Sequence, residues 1–487
     1  MSSAIALMLA FCMLFTTTRA SISDHVGVNW GRQTTQKLLP SMVIDMLLAN
    51  NIKKVKLFSL TDSVLSAFAH TDIEVMVTIP NVLLESILID GVGFWVEDNI
   101  EYYIEDVNIT NVVIGNEPFS QVHEEQLYTD VISVMKEIQG ALNEAGYGTI
   151  KATTPHFMDV LTFPGKLLPS KADFRDDIKP FMLQVLQHLK NNNSPFVANI
   201  SPLYIVKNFN HTNLEFAFVD NKSNFSIQDN NITYTNAVDA AYDSFVSALT
   251  KNGYPDMKVV VGQVGWPTDG VKDANDKNAE RFFKGFLAKM ASNKGTPLRA
   301  EPFEAYLYNL VDENRIKTIR SPYQRHWGIY KFDGTPKYKI DFSGQGRDIY
   351  PVQAKGVVRL PLRWCVFNND TSNMTLVMEN YIMACNESDC STLAPGGSCS
   401  SLDFNQKVSY AFNMYFQVTT QREDDVTCRF DGLSKIVTDN PSNGDCPFPV
   451  EILMSWEDGG YGKAPGLSVD AALLMILFGL YWMMVIW

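Results

Sequence analysis

Met257-Lys258-Val259-Val260-Val261-Gly262-Gln263-Val264-Gly265-Trp266-Pro267-Thr268-Asp269 decides how this chain folds. Its apolar residues run almost without a break from Val259 to Val264, the pattern of a strand covered on both faces of a parallel sheet. Gly265 and Pro267 end it. Gln263 and Trp266 therefore stand where strand gives way to loop. Asn111-Val112-Val113-Ile114-Gly115-Asn116-Glu117-Pro118 reads the same way, a short apolar strand that ends on polar residues. The two strand ends are expected to face each other in one site.

Outward from these stretches, strand-like and helical runs alternate from Val26 to about Ile340. The strands are expected at 26–30, 54–58, 74–79, 111–114, 149–153, 196–200, 258–261 and 305–310. Amphipathic stretches separate them. The clearest spans 124–146, where Val131, Val134, Met135, Ile138 and Leu142 recur at helical spacing; 238–252 and 279–293 behave alike. Eight strands alternating with helices over roughly 300 residues argue an α/β fold, a (β/α)8 TIM barrel. A doubly wound open sheet is the competing architecture. It usually carries a glycine-rich phosphate turn after its first strand, and Gly31-Arg32-Gln33 lacks that spacing.

In such a barrel the reactive residues sit where strands end. Those ends supply Asn29 and Trp30, Phe58, Asn81, Asn116 and Glu117, His156, Tyr204, Gln263 and Trp266, and Asp312, Glu313 and Asn314. Amides, carboxylates and aromatics of this kind hydrogen-bond hydroxyls and stack on sugar rings. They offer no Lys/Arg cluster for phosphate. The formal net charge of −14 also argues against nucleic acid and anionic lipid as partners. His156 and His326 read as structural histidines.

Both ends of the chain look like targeting segments. Residues 1–20 read as a signal peptide, with an apolar run from Ile5 to Thr18 and cleavage before Ser21. Residues 453–487 read as a spacer and glycosylphosphatidylinositol (GPI) anchor signal. Glycines 459, 460 and 462 are candidate attachment points ahead of an apolar tail, and a single membrane-spanning helix is the alternative. Six cysteines, Cys365, Cys385, Cys390, Cys399, Cys428 and Cys446, lie in the last quarter and imply three disulfides in a secreted chain. Asn-x-Ser/Thr sequons at Asn108, Asn199, Asn210, Asn221, Asn231 and Asn386 fit a secreted glycoprotein. The expected layout is a barrel over 21–342, a polar linker over 343–363 and a disulfide-stapled module over 364–452.

Five motifs in order, Val26-Gly27-Val28-Asn29-Trp30-Gly31-Arg32, Lys54-Val55-Lys56-Leu57-Phe58, Gly115-Asn116-Glu117, Gly265-Trp266-Pro267 and Asp312-Glu313-Asn314, resemble the plant endo-1,3-β-glucanases of glycoside hydrolase family 17. Arg325-His326-Trp327-Gly328-Ile329-Tyr330 looks like that family's closing segment. The cysteine module, opened by Trp364-Cys365-Val366, resembles the family 43 carbohydrate-binding module. That second resemblance implies a small, mainly α domain that binds β-1,3-glucan. It also implies the pairing Cys365–Cys428, Cys385–Cys390 and Cys399–Cys446, which spacing alone leaves open among fifteen combinations.

The resemblance implies Glu117 as general acid/base; the strand ends and the closing segment offer Asn29, Asn116, Tyr204, Trp266, Glu313 and Trp327 as expected substrate-binding residues. Packing is the competing role for Trp266 and Trp327. The family resemblance implies β-1,3-glucan (callose) as ligand; no metal or organic cofactor is expected, and with the anchor signal the expectation is a monomer on the outer face of the plasma membrane, facing the cell wall. A retaining mechanism needs a second carboxylate about 5 Å away as nucleophile. The matching position is Gln263. A neutral amide is a poor nucleophile and does not stabilise an oxocarbenium-like transition state as a carboxylate does.

Three readings follow. The chain is a glucanase that recruits another carboxylate such as Glu313 or Asp269, or admits water for an inverting route; or it binds glucan without turnover; or the sequence carries a one-base error. Two further departures from the family pattern, Ser201-Pro202 in place of Tyr-Pro and Ser59 in place of Asp, favour binding.

Overall fold

The computed structural model describes residues 22–318, 321–421 and 426–453. The expected signal peptide, the candidate anchor glycines and the apolar tail lie outside them. Nine parallel strand segments form the main sheet: β1 (Val26–Trp30), β2 (Lys54–Leu57), β3 (Glu74–Ile79), β4 (Ile109–Ile114), β5 (Lys151–Thr153), β6 (Pro155–Phe157), β7 (Phe196–Ile200), β8 (Val259–Val264) and β9 (Ala305–Leu307). Their order is β5-β4-β3-β2-β1-β9-β8-β7-β6. β5 and β6 flank the single residue Thr154, so the chain itself joins the two ends of the sheet into a barrel of eight staves.

Two hydroxyls fasten that split stave. Thr154 Oγ1 donates to Ile114 O at 2.7 Å, and Thr153 Oγ1 donates to Pro195 O at 2.7 Å. The expected strand at 149–153 is thus the first half of a longer one. The strand expected at 305–310 stops at Leu307. The strand expected at 258–261 continues to Val264.

Around the staves lie α1 (Pro40–Ala49), α2 (Asp62–Ala67), α3 (Leu84–Asp90), α4 (Val92–Val96), α5 (Glu125–Glu144), α6 (Lys179–Asn192), α7 (Pro202–Asn208), α8 (Ala237–Lys251) and α9 (Asp276–Ala291). In α5 the residues expected to face the core, Val131, Val134, Met135, Ile138 and Leu142, are all fully buried. Side-chain caps start the later helices: Asn236 Oδ1 accepts from Asp239 N, and Asn275 Oδ1 accepts from Asn278 N, both at 2.9 Å. Inside the barrel, Met76, Val113, Val260 and Tyr306 form an apolar plug. Beside it Lys54 pairs with Glu74 and Glu304.

The second unit pairs β10 (Trp364–Phe367) with β11 (Ser434–Val437) and packs α10 (Met374–Glu387) and α11 (Phe404–Val418) on them. A capping box, Asp403 with Gln406, opens α11. Phe412 stacks on Phe430 in its core. The disulfides are Cys365–Cys428, Cys385–Cys390 and Cys399–Cys446, the pairing that the resemblance implied.

Segment 343–363 does not hang between the two units. Val352 N donates to Asn50 Oδ1 at 2.8 Å, Ala354 N to Gly334 O at 3.1 Å and Arg359 Nη2 to Asp333 Oδ2 at 2.5 Å. It is strapped to the barrel and leads straight into the module, where Leu360 N donates to Glu451 O at 2.9 Å.

Glu451 is 1% exposed, and its Oε2 has no hydrogen-bond partner among the described residues. Burial first, then the charges of Asp333 and Asp389, push its carboxyl up to about 8. A raised carboxyl stabilises the fold fully below its unfolded pKa, and that stability is lost as pH climbs through the folded value. Thermal unfolding of the wild type should therefore move to lower temperature between about pH 5 and pH 9, and the Glu451→Gln variant should show a smaller drop over the same interval.

Candidate active site

The carboxyl ends of the staves surround a cleft of about 460 Å³ whose lining includes Phe58, Asn116, Glu117, Phe157, Asn199, Tyr204, Gln263, Tyr308, Glu313 and Trp327. Glu117 reaches it through a sharp turn. Gly115 has φ 76° and Glu117 itself φ 52°, a left-handed conformation that costs a non-glycine residue energy and tends to persist at functional sites. Asn81 holds the turn from both sides. Its Oδ1 accepts from Asn116 N at 2.7 Å and its Nδ2 donates to Asn116 O at 3.2 Å. A side chain at 115 would collide with that clamp, since a Cβ there would sit 2.6 Å from Asn81 Oδ1.

Gln263 arrives by a different device. Along β8, Val259 and Val261 pack outward against helices, while Val260 points into the barrel. Strict alternation would aim residue 262 inward and residue 263 outward. Instead Val261 pairs with Ala198 and Gln263 with Asn199, so β8 carries one extra residue, a β-bulge. Gly262 makes it possible: a Cβ there would meet Val197 Cγ1 at 2.4 Å and Asn199 Oδ1 at 2.9 Å. The bulge turns Gln263 into the cleft beside Asn199. Asn199 in turn donates from Nδ2 to Glu117 Oε1 at 2.8 Å. Acid and amide thus share one floor, as their strand ends suggested.

Aromatic rings wall this floor. Phe58, Tyr308, Trp327 and Tyr323 run in continuous contact, with ring centroids 5.9, 5.3 and 6.0 Å apart in turn. Phe157 and Tyr204 meet edge to face at 4.9 Å opposite. Among the described residues, no Lys or Arg lines the cleft. Apolar walls with a few placed polar groups suit a neutral, hydroxyl-rich ligand.

One cation lies beneath. Lys56 is fully buried, its Nζ has no hydrogen-bond partner among the described residues, and it sits 4.4 Å from the Phe58 ring centroid. Burial pulls its ammonium down to about 7, and the charge of Glu117 acts the other way.

Several expected site residues lie elsewhere. Trp266 is 0% exposed; its ring stacks on Phe218 at 5.0 Å and its Nε1 donates to Asp273 O. It is core, not a sugar platform, because the loop after β8 folds the indole back under the helices. Asn29 is buried below the cleft and donates to the carbonyls of Tyr306 and Leu307. Its role is to join β1 to β9. His156 is stacked on Phe196 and is structural, as expected. Asp312 accepts from Lys337 Nζ at 2.7 Å and from Gly328 N at 2.8 Å. Asn314 is tied to Thr35.

Glu313 touches the cleft yet is only 3% exposed; it accepts from Gln33 N at 2.9 Å and from Asn309 Nδ2 at 2.7 Å. Burial raises its carboxyl to about 7. The sequon at Asn199 is no glycosylation acceptor, since the side chain is buried against Glu117.

Several cleft residues escaped the sequence reading, among them Phe157, Tyr308 and Tyr323 of the aromatic walls. Asn199 was visible only as a sequon. Asp159 also lines the cleft, where Oδ2 accepts from Ser120 Oγ at 2.5 Å. It follows a strand half that periodicity does not separate from β5.

The profile of glycosyl hydrolases family 17 matches residues 26–342, and that of the X8 domain matches residues 363–435. The chain belongs to glycosyl hydrolase family 17. Among relatives of this family-17 chain, "Glucan endo-1,3-beta-glucosidase 8" of Arabidopsis thaliana is 43% identical over 93% of this chain and 95% of its own length. "Glucan endo-1,3-beta-glucosidase 5" of the same plant is 38% identical over 94% of each. A solved structure of CJP38, a beta-1,3-glucanase and pollen allergen of Cryptomeria japonica, superimposes with a TM-score of 0.62 at 31% identity, covering 65% of this chain and 99% of that one.

Trp266→Ala should lose about 3–5 kcal/mol by equilibrium denaturation, the cost of an indole-sized cavity in a packed core. A change below about 1 kcal/mol would place the ring outside the core.

Proposed function

We propose that this family-17 barrel binds β-1,3-glucan in its cleft and that hydrolysis is suppressed by Gln263. The observation that carries the reading is the pairing of Gln263 with Asn199, the residue that holds Glu117. In a retaining mechanism Glu117 would protonate the departing glycosidic oxygen while a carboxylate opposite attacks the anomeric carbon. Gln263 lines the same cleft and has neither the charge nor the nucleophilicity that such an attack needs.

The other cleft carboxylates are poorly placed to replace it. Asp159 is bonded to Ser120, on Glu117's own side of the cleft. Glu313 is buried and already accepts two hydrogen bonds. Asp269, outside the cleft lining, accepts from Ser398 of the module. Binding depends on none of this, because sugar hydroxyls are neutral and the aromatic walls and amides remain.

A reducing-sugar assay on laminarin tests the reading. The wild type should bind but release little sugar. Gln263→Glu should raise turnover by several powers of ten, the usual scale for a catalytic nucleophile. Glu117→Gln in the Gln263→Glu background should abolish it. Equal turnover by wild type and Gln263→Glu would refute suppression at this position.

Residence as a monomer on the outer face of the plasma membrane, through a GPI anchor, belongs to the same proposal. It is supported by the small-residue stretch at 459–466 and the apolar tail from Ala471. Phosphatidylinositol-specific phospholipase C should release the protein from intact cells into the medium. Retention after complete digestion would favour a membrane-spanning tail.

A further inference from the structure

We infer that the X8 module is a brace for the cleft, with Asp389 as a positioning residue for its Trp327 wall. This rests on the glucan-binding reading for what the wall touches, but the brace itself is read from contacts. The module sits on the two loops that flank Gln263. In the loop after β8, Asp269 accepts from Ser398 N at 2.8 Å and from Ser398 Oγ at 2.5 Å. Gly396 packs so closely on this loop that a Cβ there would lie 2.4 Å from Lys272 N.

In the stretch after β9, Arg325 Nη1 donates to Asp389 Oδ1 at 3.0 Å, and His326 Nε2 lies 2.7 Å from Ser391 Oγ and 3.7 Å from Asp389 Oδ2. The two loops are also joined to each other, through Thr268 N and Oγ1, both donating to His326 O.

Asp389 is the centre of this seam. It is 4% exposed. Burial acts to raise its carboxyl, but the charges of His326 and Arg325 and the hydrogen bonds from Ser391 outweigh it and hold it below the usual carboxylate range. It is thus an anion buried between two units and satisfied from both, since Ser391 N and Oγ donate to it from the module and Arg325 from the barrel.

A buried charge with this many partners fixes geometry, because moving it away leaves the others unpaired. Arg325 and His326 directly precede Trp327, and Tyr323 and Gln324, also in the cleft lining, precede them. Fixing residues 325 and 326 therefore fixes where the aromatic wall stands. A module swinging on a loose tether would leave that wall to find its own position. Here the strapped linker and the Asp389 seam hold barrel and module in one arrangement.

The test has two arms on the full secreted chain. The first needs no ligand. Hydrogen exchange of amides 321–327 should accelerate in Asp389→Asn and in Ser391→Ala, while amides of α5, far from the seam, stay protected; unchanged exchange at 321–327 in folded variants would overturn the brace. The second measures affinity for laminarin oligosaccharides in a double-mutant cycle of Asp389→Asn with Trp327→Ala.

Asp389→Asn should weaken binding about tenfold, the scale of one charge-assisted contact. Trp327→Ala should add little on top of it, because the ring is already displaced, and Asp389→Glu should recover part of the loss. Additive effects would overturn the positioning role. A wild type that binds no oligosaccharide would refute the glucan reading instead, and the exchange arm would still decide whether the module braces the loop.

Discussion

Closing a parallel sheet on itself forces every strand to deliver its last residues to the same mouth. In this chain that closure passes through one residue, Thr154, where a stave changes its neighbour. Its first half pairs with β4 and its second with β7. Glu117 comes from the end of β4 and Asn199 from the end of β7, so the bond between them spans the point at which the ring is sealed. The left-handed backbone at Glu117 is the local cost of this convergence. The Asn81 clamp and the packed loop around it hold the turn in place, which is how a strained residue persists at a strand end.

The electrostatics follow from the same closure. The barrel interior holds few charges, and those near its base are paired, as Lys54 is with Glu74 and Glu304. Lys56 differs: buried and without a hydrogen-bond partner among the described residues, it has the face of the Phe58 ring and the charge of Glu117 to support it. A second carboxylate at 263 would place two negative charges near one reluctant cation. The amide removes one of them without changing the shape of the floor. Charge and shape are separable at this position.

Much of this arrangement was legible in the chain. The barrel followed from alternating periods, and the facing of Glu117 and Gln263 followed from strand ends alone. Four things were not legible. Trp266 stands beside a strand end, and nothing in the local sequence tells a ring aimed at solvent from one folded back onto Phe218. Asn29 ends a strand as Asn116 does, but its side chain is claimed by neighbouring carbonyls across β9, a partner 277 residues away. The bulge at Gly262 left one trace, a glycine inside an otherwise apolar strand, which often marks close backbone approach. The fifth stave looked short because its break, Thr153-Thr154-Pro155, carries no turn signal other than proline.

The seam between barrel and module follows the same logic at larger scale. Sequence composition marks 343–363 as a polar connector, and polar connectors usually separate domains that move. Which polar residues meet partners cannot be read from composition. Asn50 caps a helix and takes both the N–H and the C=O of Val352, which converts a connector into a strap. Once the strap fixes where the module begins, Asp389 and Ser398 fall opposite Arg325 and Asp269, and the module meets the barrel loops behind the aromatic wall. The cleft is lined from the barrel alone, and left to itself it would depend for its shape on long loops after β8 and β9, the elements least restrained by the ring. Seating a disulfide-stapled unit against those loops supplies the restraint the staves do not.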